Sequence, residues 1–143
     1  MILPDINLLL YAYNQRSPFH ERAARWWAAA LSGGEVVGLA SVAAFGFLRL
    51  STQARVFEAP LGVEEAVREV QLWLERPRVR WLEADLRAAD RAFGLLRAAG
   101  TAGNLVTDAQ LAALALEHGA VVHTADADFS RFAGVRWRNP CAG

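Results

Sequence analysis

Apolar positions recur along the chain in two rhythms: short runs of about four residues, and longer stretches in which they return every three or four places. Met1-Ile2-Leu3-Pro4 reads as a short strand closed by Asp5, and Ile6 to Tyr13 as a helix with Ile6, Leu9, Leu10 and Tyr13 at helical spacing. After a loop at Asn14 to Arg16, Ser17 is the expected N-cap of a second helix, with Pro18 at its first position and a Gly33-Gly34 stop. Glu35 to Ala40 predicts a strand. Ser41 then caps a helix from Val42 to Ser51, whose apolar face carries Phe45 and Leu48. Ala54 to Leu61 reads as a loop, and Val63 to Leu74 as an amphipathic helix with Glu64 and Glu65 in its first turn, ended by Arg76-Pro77. Val79 to Leu82 predicts an edge strand with one wet face. Asp85 caps a helix to Ala99 that stops at Gly100, and Asn104-Leu105-Val106-Thr107-Asp108 opens an apolar helix to Glu117, stopped by Gly119. Ala120 to His123 is another apolar strand, Phe129 to Phe132 one helical turn, and Gly134 to Arg138 a last strand.

Short apolar strands alternating with helices imply the α/β class, with a parallel sheet covered on both faces. Ligands of such sheets bind beyond the carboxyl ends of the strands. Asp5 and Asp126 fall at such ends, and Asp108 lies in the first turn of a helix. Four of the six aspartates (Asp5, Asp108, Asp126, Asp128) occupy strand ends or helix starts, which predicts that distant segments converge on one acidic crevice.

A length of 143 residues with 54% hydrophobic content suits a single domain over residues 1–143. Fifteen basic and fifteen acidic residues cancel, so no global field draws the chain to nucleic acid or to an anionic membrane, and any nucleic-acid contact is local. Every basic residue is arginine, which excludes lysine as a titrating base or Schiff-base amine. The lone Cys141 has no intrachain partner and fits a reducing compartment, so a cytoplasmic location is expected. No apolar run approaches a membrane span, and no basic leader precedes the first strand.

Carboxylates a few ångströms apart raise one another's pKa unless a cation neutralises them, and an oxygen-only donor set selects Mg²⁺ or Mn²⁺. Such an ion acidifies a bound water and offsets charge on a phosphodiester under attack, which makes phosphodiester hydrolysis the natural reaction. Asp5, Asp108 and Asp126 are the expected catalytic, metal-binding acids. Asp128 reads either as a further ligand or as the cap of the next turn. Asn7, Thr107 and Thr124 are neutral neighbours that would orient carboxylates or water. His20 and His123 read as a helix-surface and a strand-end residue rather than bases, and His118 as a cation at a helix C-terminus. Trp26, Trp27 and Trp73 read first as core or interface packing, with base stacking the minor alternative.

Leu3-Pro4-Asp5-Ile6-Asn7-Leu8-Leu9, Asn104-Leu105-Val106-Thr107-Asp108 with Leu111-Ala112-Ala113-Leu114-Ala115, and Thr124-Ala125-Asp126-Ala127-Asp128-Phe129 together resemble a PIN domain of the VapC toxin type, in order and over essentially the whole chain. The resemblance implies a PIN-like three-layer α/β/α fold with a central parallel sheet. It further implies a Mg²⁺-dependent endoribonuclease, the toxic half of a type II toxin–antitoxin pair that cuts tRNA or rRNA, forms a homodimer and is silenced by a small VapB-type antitoxin. Asp5, Asp108 and Asp126 match the family's metal-binding acids, and Asp128 an acid often present beside them. One position departs: where the family usually has a glutamate before Phe47-Leu48-Arg49, this chain has Gly46, as in a subgroup of the same type. That leaves one or two metals open. Arg49 either faces the cleft, touching RNA phosphate or antitoxin, or is simply solvated. The Gly46 departure also motivates an alternative, a catalytically degenerate PIN module that binds RNA or a protein without cutting. Phosphoryl transfer through an aspartyl-phosphate on Asp5 ranks below both, because the folds that use it normally add a lysine.

Overall fold

The computed structural model describes residues 1–143. Five strands, β1 Ile2–Pro4, β2 Val37–Ala40, β3 Val79–Leu82, β4 Val121–His123 and β5 Arg136–Arg138, form one all-parallel sheet in the order β3-β2-β1-β4-β5. The helices are α1 Ile6–Tyr13, α2 His20–Ser32, α3 Ser41–Ser51, α4 Val63–Glu75, α5 Leu86–Ala99 and α6 Val106–His118, with 3-10 turns at Gly103–Leu105 and Ala127–Arg131. The chain runs outward from β1 through β2 to β3, then returns to the other side of β1 with β4 and β5. The order therefore reverses between β1 and β4, which pair in the register Ile2 with Val121 and Pro4 with His123. A crevice is expected at such a switch point, and Asp5 and Asp126 follow those two strands.

Side-chain alternation along the short strands splits the core in two. Ile2, Val37 and Leu39 face α1, α2, α3 and α4, where they join Leu8, Leu9, Trp27, Phe47 and Trp73. Leu3 and Val122 face α5 and α6, against Ala88, Ala92, Leu111 and Ala112. A sheet buried on both faces between helical layers is the three-layer α/β/α arrangement that the apolar strand runs predict. Trp73 sits at the centre of the first layer, its ring centroid 4.9 Å from Phe47 and 5.2 Å from Trp27. Its indole N–H donates to the Tyr13 hydroxyl, which in turn donates to Glu69, both at 2.9 Å. The core reading of Trp27 and Trp73 holds.

Helix stops fall where glycine allows the left-handed turn, at Gly100 (φ 75°) and Gly119 (φ 61°), and Asp85 caps α5 by accepting the Ala88 N–H at 2.9 Å. Other expectations need correction. Ser17 does not cap α2. Its hydroxyl accepts the Phe19 N–H in a tight turn, and the helix starts at His20 with Phe19 as the preceding residue. Phe45 is not on the buried face of α3: it is 62% exposed and meets Trp81 edge-on at 6.1 Å, while Ala43, Ala44, Phe47 and Ser51 pack inward. β3 is an edge strand, but both of its middle residues, Arg80 and Trp81, are exposed. No helix is long and apolar enough to cross a membrane.

Candidate metal centre

Asp5 ends β1 and starts α1. Its N–H donates to the His123 carbonyl at 2.9 Å, extending the β1–β4 ladder by one rung, and its Oδ1 accepts the Ile6 N–H at 2.7 Å as the cap of α1. Oδ2 accepts from the Thr124 hydroxyl at 2.7 Å and from Asn7 Nδ2 at 3.2 Å. Thr124, fully buried at 0% exposure, also accepts the Asp126 N–H at 2.9 Å and Asn7 Nδ2 at 3.3 Å. One donated and two accepted bonds exhaust a hydroxyl, so its rotor is fixed. Asn7 Oδ1 completes the brace by accepting the Ala125 N–H at 3.2 Å. Two residues picked as neutral neighbours thus tie the segment after β1 to the segment after β4.

Asp108 lies in the first turn of α6, 9% exposed. Asp126 caps the following 3-10 turn by accepting the Asp128 N–H at 2.8 Å. Each of Asp108, Asp126 and Asp128 offers a carboxylate oxygen, and these lie within 4.8 Å of one another. Asp5 falls outside that set but stands close enough to act on it electrostatically. Burial, followed by the charges of Asp5, Asp126 and Asp128, pushes Asp108 up to about 7. Burial also raises Asp5, with the Thr124 and Ile6 donors pulling it back and Asp126 adding to the rise. An acid held half-protonated near neutrality by its neighbours is a site short of positive charge, and the all-oxygen donors fit a hard divalent cation.

Thr107 is half-buried beside Asp108 and makes no hydrogen bond to the acids. Arg49 is exposed on the last turn of α3 and forms no ion pair. Sequence reasoning missed Ile6. The Gly46 backbone is packed against it so closely that a Cβ at position 46 would run into Ile6 Cδ1. The space a Cβ at 46 would take is therefore occupied from α1 by the end of the Ile6 side chain, and only a glycine in mid-helix hinted at it. Reading His123 as a strand-end residue was sound, but it is buried and bonded to Trp26, which no local pattern announces.

Residues 2–135 match the model of the PIN domain family. Ribonuclease VapC33 of Mycobacterium tuberculosis is 49% identical over 140 residues, covering 98% of each chain. Among solved structures, the fold is similar to that of M. tuberculosis VapC20, described as a sarcin-ricin loop cleaving toxin. The TM-score is 0.71 at 22% identity over 95% of this chain and 99% of that one. It is also similar to VapBC-1 from nontypeable Haemophilus influenzae, with a TM-score of 0.68 at 20% identity over 99% and 100% of the two chains.

Proposed function

Because the chain belongs to the PIN domain family, and within it to the VapC ribonucleases, we propose that it is the toxin of a type II toxin–antitoxin pair. In this reading residues 1–143 form one domain that hydrolyses phosphodiester bonds in cellular tRNA or rRNA. Its partners are a small VapB-type antitoxin and a second copy of itself, and the unpaired Cys141 suits work in the cytoplasm. The observation that carries the proposal is the meeting of Asp108, Asp126 and Asp128 within 4.8 Å beside a braced, buried Asp5.

Asp108, Asp126 and Asp128 would hold Mg²⁺, or Mn²⁺ in its place, with Asp5 completing the acidic wall. Such an ion supplies an acidified water and offsets charge on the phosphate. The chain's own residues do the rest. Thr124 and Asn7 hold Asp5 Oδ2 in one orientation, and Thr124 fixes the backbone that carries Asp126, so the acids meet substrate already aligned. Asp5, buried and hydrogen-bonded at both oxygens, adds a fourth carboxylate to the wall that would draw the cation. Phosphate contacts fall to exposed arginines such as Arg49, so affinity should drop steeply with salt. RNA cleavage by wild type, Asp5→Asn and Asp126→Asn with Mg²⁺ tests the reading; equal rates would overturn it.

The packing of Ile6 against Gly46 favours a second reading, since position 46 supplies no acid and Ile6 fills the room beside it: a module that binds RNA or a protein without cutting. Calorimetry with Mn²⁺ separates the two, because retained partner binding without metal binding selects the module.

A further inference from the structure

A cavity of about 250 Å³ opens between α2 and the β4–β5 edge, with Ile2, Trp26, Ala30, Glu35, His123 and Arg138 in its lining. His123 and Ile2 are the buried parts of that wall, 6% and 7% exposed. The Trp26 indole N–H can only donate, and it meets His123 Nδ1 at 2.9 Å. Nδ1 is therefore the bare nitrogen and Nε2 carries the proton. That Nε2–H has no protein acceptor, and unlike the Trp27 indole nitrogen it is not sealed from solvent.

The cavity thus has donors at one end and an acceptor at the other. Arg138 and the His123 Nε2–H stand at the carboxyl end of β4 and β5. Glu35, whose side chain is 68% exposed and reaches the N-terminal ammonium at 3.7 Å, stands by the start of β1. With about 3.3 Å of rise per strand residue, two residues of β1 separate the ends by about 7 Å, a length that suits a purine. The Trp26 ring flanks the space between them, its centroid 5.9 Å from that of His123. Guanine matches this layout: O6 and N7 accept on one edge, while N1–H and the N2 amino group donate on the next. Adenine places a donor where the arginine end needs an acceptor.

We propose that this cavity binds a guanine base splayed out of single-stranded RNA, with O6 and N7 on Arg138 and His123 Nε2–H, the donor edge on Glu35, and the ring against Trp26. The proposal rests on the reading of the chain as an RNA-cutting enzyme and names a specificity determinant for it. The cavity and the acidic centre share their framework: the His123 carbonyl accepts the Asp5 N–H at 2.9 Å, and the Arg138 carbonyl accepts the Thr124 N–H at 3.0 Å.

The test titrates the metal-free protein with guanosine, inosine, adenosine, cytidine and uridine, following tryptophan fluorescence, with Trp26→Phe to assign the signal. Nucleosides carry no phosphate, so arginines elsewhere do not contribute. Guanosine should bind tightest and inosine, which lacks the N2 amino group, more weakly. Arg138→Ala and Glu35→Ala should each weaken guanosine by about tenfold with unchanged melting temperature, both side chains being exposed. No binding of guanosine, equal affinity for all the nucleosides, or full affinity in both variants would overturn the proposal. Neither metal nor cleavage enters the measurement, so an inactive nuclease that still selects guanosine refutes only the catalytic reading.

Discussion

Replacing Asp108 by asparagine should change how the metal-free protein responds to pH, in a direction opposite to that of an ordinary paired aspartate. Asp108 is raised from 3.8 to about 7 in the folded chain, first by burial and then by Asp5, Asp126 and Asp128. A folded pKa above the unfolded one means that the folded state binds the proton more tightly. The stability it contributes is complete below about pH 4 and is lost as pH rises through about 7. A rise of about three pH units corresponds to about 4 kcal/mol, and water reaching the rim of the crevice reduces that to about 2 kcal/mol. Wild type alone would not reveal this cleanly, because His123, lowered from 6.5 to about 4, acts with the opposite sign. Its neutral form is favoured by folding, so its contribution is lost as pH falls below about 6.5 and opposes the Asp108 change over the lower part of the range. The difference between wild type and Asp108→Asn removes the histidine. Urea unfolding in chelator should find the two proteins within about 0.5 kcal/mol of each other near pH 4, and the variant more stable by about 2 kcal/mol near pH 8. Mg²⁺ should restore the wild type at the higher pH and leave the variant little changed. Parallel stability curves for the two proteins in chelator would refute the account of why Asp108 is raised.

Thr124→Val removes the hydroxyl that donates to Asp5 and accepts from Asp126 and Asn7; with a buried carboxylate left short of a donor, denaturant unfolding should show a loss of about 2–4 kcal/mol, and Thr124→Ser should recover most of it. Gly46→Glu displaces the end of the Ile6 side chain, so it should lower the melting temperature, and adding Ile6→Ala should restore part of the loss. Gly100→Ala places a Cβ at φ 75° and should cost about 1–2 kcal/mol by chemical denaturation, with RNA cleavage unaffected.

The parts of the fold that the sequence made legible are those decided by neighbours in the chain. Gly100 and Gly119 end their helices because the left-handed turn needs them, and Asp85 caps because its own side chain reaches Ala88. The acids could be picked out for a similar reason: each follows a strand or opens a helix, and parallel topology collects such positions at one rim. The misreadings are of two kinds, a competing local turn at Ser17 and partners remote in sequence elsewhere. Ser17-Pro18 carries the signature of a helix start, yet its hydroxyl closes a turn and the helix waits for His20. Phe45 has the spacing of a core residue, but α3 presents its small Ala43 and Ala44 to the sheet and turns the ring out to Trp81, a residue of the edge strand. Ile6 and Gly46, forty positions apart, interlock through shape alone, which a single sequence does not record.

The last rung of the β1–β4 ladder, the Asp5 amide on the His123 carbonyl, divides the acids by how tightly each is anchored. Asp5 is stitched into the middle of the sheet, and releasing its amide proton to solvent means parting the two innermost strands. Asp128 is itself exposed and rides a single turn that the buried ring of Phe129 pins to the core. The crevice therefore has a floor sewn in by backbone bonds and a lip fastened by one buried ring, so trimming Phe129 would unsettle the lip and leave the floor in place.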